Sequence, residues 1–232
     1  MAPMVFSTGT LALGDFRLGL QMLRGKTALA VELSALRDTE LQPLIESLDE
    51  LDLSQFEYVS VHAPSQFLTI DEAQVLKLLA KVFDRKWPVV VHPDVIEDWS
   101  AWREHGDLVC IENMDKRKST GRTADELQLI FDRLPEASLC FDIGHAMQID
   151  PTMLEAKAIL LSHGQRIKQL HVSDVNSQCG HEPLNMVAES AFARVVHLIP
   201  KDIPVIMETP VSEQWVESQM RRAQHVLLNG DA

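Results

Sequence analysis

The 232-residue chain has only three cysteines, Cys110, Cys140 and Cys179, and they lie far apart. They make no disulfide framework, so a reduced, cytoplasmic setting is the expectation. No apolar run reaches the roughly 18 residues that cross a bilayer. The opening MAPMVFSTGT carries no basic stretch ahead of an apolar one, so neither a membrane span nor a secretory signal is expected. Positive charge is scarce: 21 Lys and Arg stand against 34 Asp and Glu, a formal net charge of −13. That balance argues against a general nucleic-acid binder, since phosphates are neutralised by Lys and Arg. Gly/Ser/Pro linkers, low-complexity tracts and a GxGxxG turn are all missing. A tethered multi-domain chain and a dinucleotide-binding open sheet lose support accordingly. What is present, 46% hydrophobic and 24% charged residues, suits an ordinary globular domain with a sizeable core.

Short apolar or β-branched runs alternate with longer helical stretches from end to end. Strands are expected at 4–8, 27–34, 57–63, 88–93, 107–113, 138–144, 167–174 and 203–209. Between them lie amphipathic segments such as DEAQVLKLLAKVF (71–83). Thr69 with Glu72, and Thr123 with Glu126, have capping-box spacing, and Asp150-Pro151 reads as a helix start. Eight consecutive strand–helix units predict a single (β/α)₈ TIM barrel over residues 1–232. At about 29 residues per unit the chain is near the minimum for that barrel, with no room for a lid domain.

The polar residues on these strands are in register. Glu32, His62, His92, Glu112, Asp142, His171 and Glu208 each fall at or near a C-terminal strand end, one per strand from the second to the eighth. His145 follows close behind Asp142. A lone histidine or acid there is usually a hydrogen-bonded structural group. A ring of them converges on one barrel mouth, where unpaired buried charge is costly and crowded carboxylates repel. A divalent cation answers both problems. Mixed His/Asp/Glu donors suit zinc or manganese, as well as iron or cobalt, better than magnesium or calcium. Glu112, with ligands on both neighbouring strands, is placed to bridge two ions.

The ordered series VSVHAP, VVVHPD, CIENMD, CFDIGHA, QLHVSD, GHEPL and VIMETP resembles the xylose isomerase-like TIM barrels. That superfamily holds sugar isomerases and epimerases and the endonuclease IV-like enzymes. The resemblance runs from about Glu32 to Glu208. It implies a common metal site of Glu112, Asp142, His171 and Glu208, with Glu112 and Glu208 as the catalytic pair that moves a proton in epimerases. It further implies that His62 and His92 complete a second site with Glu112, and that His145 and His181 belong to a third. One to three divalent ions per chain are then expected. The aspartate that the endonucleases carry two residues before His181 is Cys179 here, with Asp174 nearby, so the third site departs from the pattern. Ser65 replaces a DNA-contacting tyrosine, and Leu184 and Asn185 replace glycines. The VNSQCG stretch lacks the arginine that epimerases use for substrate.

Four basic residues, Lys116, Arg117, Lys118 and Arg122, crowd the loop after Glu112, where they face substrate phosphate or carboxylate or simply stand as a solvated loop. Glu32 is a further substrate-side candidate, or a residue that holds a neighbouring histidine. His105, His163, His197 and His225 fall in helices or at their ends, with surface or capping roles. Cys110 and Cys140 share the inward face of their strands with the ligands and fill the barrel. The expected activity is a metal-dependent sugar or sugar-phosphate isomerase or epimerase, with metal-dependent phosphoester hydrolysis as the alternative. A small-molecule substrate is expected rather than duplex DNA, with no membrane partner and an oligomer possible.

Overall fold

A computed structural model describes residues 3–228 of the chain. Ten strands occur in chain order: β1 (Met4–Phe6), β2 (Ala30–Ser34), β3 (Tyr58–His62), β4 (Val89–Val91), β5 (Val109–Glu112), β6 (Ser138–Asp142), β7 (Ile167–Val172), β8 (Asp174–Val175), β9 (His181–Glu182) and β10 (Val205–Met207). The helices are α1 (Thr8–Leu11), α2 (Phe16–Leu23), α3 (Asp38–Ser47), α4 (Glu72–Asp84), α5 (Trp99–Arg103), α6 (Ala124–Arg133), α7 (Ile143–Ile149), α8 (Leu154–His163), α9 (Met186–Phe192) and α10 (Val216–Leu228). Eight strands form one parallel sheet in the order β1-β10-β7-β6-β5-β4-β3-β2. A parallel bridge between Ser7 and Glu32 brings its two ends together. This is the (β/α)₈ barrel expected from the alternation.

Strand alternation sorts the side chains. On β2, Val31 and Leu33 are fully buried in the main core, while Glu32 reaches across the barrel to groups on β3 and β7. Val61, Val91, Ile111 and Phe141 likewise join helix residues such as Leu79, Leu127 and Phe192. Inside the barrel, Val90, Cys110 and Cys140 form a small separate cluster, so both thiols fill the interior. Among the described residues no helix is long and apolar enough to cross a membrane.

Several helix starts differ from the sequence expectation. Asp71, not Thr69, caps α4: its side chain accepts from Gln74 N while Gln74 returns a bond to Asp71 N. Glu72 instead accepts from Trp102 Nε1 at 2.8 Å and fastens α5. Thr123 does cap α6, but Glu126 turns to Arg122. Asp150 holds a turn through Thr152 and Glu155, and α8 begins only at Leu154, after Met153 at φ +64°. The strand expected at 138–144 stops at Asp142, because that residue already caps α7 by accepting from His145 N at 2.7 Å. Trp102 is wholly buried, and Arg133 stacks over Trp99.

Candidate metal centre

Parallel pairing sets the mouth. Asp142 is in register with His171, while Glu112 pairs with Cys140 and His62 with Val90, each two residues short of the next strand's candidate ligand, so the donors converge on one mouth in a stagger. Among the described residues three groups of donors result, each compact enough to share an ion: His62, His92 and Glu112; Glu112, Asp142, His171 and Glu208; and Asp142, His145 and His181. These are the eight residues expected as ligands.

Glu112 is the hinge of the arrangement and is almost wholly buried, at 1% exposure. Its Oε2 lies 3.2 Å from His62 Nε2 and 3.0 Å from His92 Nε2. Its Oε1 lies 3.2 Å from His171 Nδ1. The two oxygens of one carboxylate therefore serve two groups. His171 Nδ1 is also 3.3 Å from Glu208, whose Oε2 lies 3.7 Å from His181 Nε2.

Most of the imidazoles are fixed from behind. His62 Nδ1 meets Ala63 O at 2.7 Å, His145 Nδ1 meets Asn113 O at 3.0 Å and His181 Nδ1 meets Ser173 Oγ at 2.8 Å. His171 Nε2 meets Glu32 at 3.0 Å. A partner on one ring nitrogen sets the tautomer and leaves the other available for metal, the arrangement seen around protein-bound ions. Asp142 Oδ2 and His145 Nε2 are buried with no hydrogen-bond partner, although buried polar atoms seldom go unpaired. Mixed nitrogen and carboxylate donors, with orphaned atoms among them, fit divalent cations.

Protons take up the charge when no ion does. Burial works against ionisation of Glu112, but hydrogen bonds from His171, His62 and His92 outweigh it and hold the carboxyl well below its usual range. Glu208 is likewise lowered, its burial overcome by the charges of His171 and His181. His62 resists its own burial and is pushed up to about 9 by Glu112, and His145 and His171 also rise against burial. His92 goes down: burial is joined by the charges of His62 and Lys118. Asp142 rises, through burial and the neighbouring Glu112 and Glu208.

The remaining candidates are placed as follows. Glu32, expected at the substrate, is 0% exposed; its Oε2 accepts from Gln169 at 2.7 Å and from His171, so it lies behind the histidine and not in the mouth. Gln169 Oε1 in turn accepts from Tyr58 Oη at 2.8 Å. Arg122, also expected at the substrate, pairs with Glu126 at the start of α6. Lys116 and Arg117 are exposed on the loop after β5, and Lys118 binds Asp94 Oδ2 at 2.7 Å. Cys179 is bonded to Gln148, and Asp174 to Val175 N and Asn185, so neither joins the Asp142–His145–His181 group. Outside the site His105 stacks on Phe83 and His163 meets Ala124 O. Beside Glu112, two supporting residues went unread in the sequence. Asn113 clasps Asp142 through both its N and O, and Asp115 sits buried 4.0 Å from His145 Nε2. The only sequence signal for either was its place beside Glu112.

Residues 97–227, more than half of the chain, match the family of xylose isomerase-like TIM barrels, and the chain belongs to that family. No curated protein matches its sequence. Among solved structures, it is similar to endonuclease IV from Thermus thermophilus, with 18% identity over 97% of this chain and 98% of that one and a TM-score of 0.57. It is similar to a protein assigned as a sugar phosphate isomerase/epimerase from Anabaena variabilis, with 10% identity, 99% of each chain and a TM-score of 0.64. A xylose isomerase-like barrel from Mycobacterium smegmatis, solved in complex with magnesium, has 12% identity over 100% of this chain and 98% of that one, with a TM-score of 0.61. At such identities the likeness speaks for the fold.

Proposed function

We propose that this chain is a divalent-metal-dependent enzyme acting on a small polar substrate, and that its reaction is hydrolysis of a phosphoester. The observation that carries the reading is Glu112, whose Oε2 faces His62 and His92 while its Oε1 faces His171. A carboxylate divided in this way suits two adjacent ions. Bound there, divalent ions supply Lewis acidity to substrate oxygens and make water acidic at neutral pH. The protein's own residues do the rest. His62 and His171 each present one nitrogen fixed from behind, His92 turns Nε2 to Glu112 at 3.0 Å, and Glu208 stands as an ionised carboxylate beside His171 and His181, placed to hold a proton or orient a water. Loops as short as these leave little to grip a duplex, which favours a small phosphoester over DNA.

Isomerisation or epimerisation of a sugar or sugar phosphate is the second reading. Its support is that Glu112, Asp142, His171 and Glu208 form a complete four-donor group by themselves. Glu112 and Glu208 both approach His171 Nδ1, at 3.2 and 3.3 Å, and could pass a proton between faces of a substrate. Elemental analysis of the natively purified protein separates the two. Two or more divalent ions per chain, with His62→Ala and His92→Ala each losing one, is the expected result. One ion, unaffected by those substitutions, would move the assignment to the isomerase. None after metal supplementation would remove metal catalysis altogether.

A further inference from the structure

The four cations of the loop after β5 have different fates. Arg122 makes a two-point pair with Glu126, Nη2 to Oε1 at 2.7 Å and Nε to Oε2 at 3.3 Å, and is committed to the start of α6. Lys118 is mostly covered; its Nζ joins Asp94 Oδ2 at 2.7 Å and Ser65 O at 3.3 Å, tying three loops together beside His92. Lys116 is exposed, with its backbone N–H donated to Gln148.

Arg117 is built differently. Its Nε reaches both oxygens of Asp115, at 3.1 and 3.0 Å, its Nη2 reaches Oδ2, and its backbone N–H donates to Oδ1 at 2.7 Å. The Asp115 side chain is 1% exposed and that of Arg117 55%. One edge of the guanidinium is thus clamped to a buried carboxylate, and the opposite edge, with Nη1, is left to solvent. The same Asp115 Oδ2 lies 4.0 Å from His145 Nε2. Consecutive residues therefore flank the metal centre from two sides, Arg117 at the His145 group and Lys118 at the His92 group.

We propose that the substrate carries an anionic oxygen group, phosphate or carboxylate, and that Arg117, positioned by Asp115, receives it. This names the substrate class of the site and rests on the reading of the mouth as a metal centre. A planar guanidinium fixed on one edge keeps parallel N–H donors on the other, which match two oxygens of such a group. With cations on the carboxylates, the mouth no longer repels an anion. A neutral polyol could accept from the same donors but would gain no ion pair.

The test is calorimetric titration of manganese-loaded and chelator-treated protein with inorganic phosphate and, separately, acetate, with the metal content of every sample measured. Arg117→Gln should weaken binding of the preferred anion by tenfold or more at unchanged metal content. Arg117→Lys should restore only part of it, because one ammonium cannot replace the fork. Arg122→Gln should match the unsubstituted protein. The anion that binds better tells which of the two sources the site serves. If Arg117→Gln stays within twofold of the unsubstituted protein, or if that protein binds neither anion, the Arg117–Asp115 pair is a loop clamp and the proposal falls. Failure to take up metal would instead overturn the metal-enzyme reading and this proposal with it, an outcome the metal measurement tells apart from loss of Arg117.

Discussion

His171 offers two ring nitrogens, and only one of them faces the donor group. Glu32 decides which: by accepting from Nε2 at 3.0 Å it leaves Nδ1 toward Glu112 and Glu208. A carboxylate behind a ligating imidazole both orients it and raises its basicity, and losing such a partner costs roughly 10–100-fold in metal affinity. Glu32→Gln keeps the shape but removes the charge, so metal binding should weaken by a factor in that range while the fold is retained. Competition against a chromophoric chelator would read this, and an affinity within twofold of the unsubstituted protein would sink the role. The sequence displayed Glu32 plainly, as an acid in an apolar strand. Whether it met substrate or histidine depended on the barrel closing at Ser7 and Glu32, which no local pattern encodes. Gln169 was harder to see: it is uncharged and two residues before His171, and its role exists only through Glu32 and Tyr58 on other strands.

At the level of elements, barrel strands such as β4 and β5 were legible because they carry runs of buried apolar residues, at 89–91 and 109–111. Helix starts were less so. Thr69 and Asp71 both offer a capping oxygen, and the choice fell to Asp71 while Asp38, at the start of α3, accepted the N–H groups of residues 68–70. The β8–β9 hairpin that presents His181 has two residues per strand, too few for any periodicity. Nor could spacing reveal how closely α7 approaches the chain after β7. A Cβ on Gly144 would stand 2.5 Å from Ser173 O and 3.0 Å from Val175 Cγ2. The obstacle is largely backbone, so it cannot rotate aside. Gly144→Ala should push α7, and with it His145, away from the hairpin. The expected cost is about 1–3 kcal/mol in denaturant unfolding, with loss of one ion in a protein that otherwise holds its metals. Unfolding and metal content equal to those of the glycine protein would show that α7 can move without cost.

Across the whole molecule, the net charge of −13 concentrates part of its repulsion at one mouth, and protons or metal ions must offset it. In metal-free protein that duty falls partly on His62, raised to about 9 from an ordinary 6.5 by its bond to Glu112. Between those values the folded protein binds more protons than the unfolded one, so stability falls as pH rises. The contribution is complete below about 6.5 and gone above about 9. Metal binding runs the other way, because each imidazole must give up its proton to ligate, so affinity climbs through the same window. The stabilisation conferred by ions at fixed concentration, about 2.7 kcal/mol at a hundred times Kd, therefore grows with pH. Thermal unfolding of chelator-treated and manganese-loaded protein from about pH 6 to 9 should show the first curve declining and the gap between the two widening. A gap that stays constant across that range would mean that protons and metal do not compete at these histidines, and the ligand set built around Glu112 would have to be abandoned.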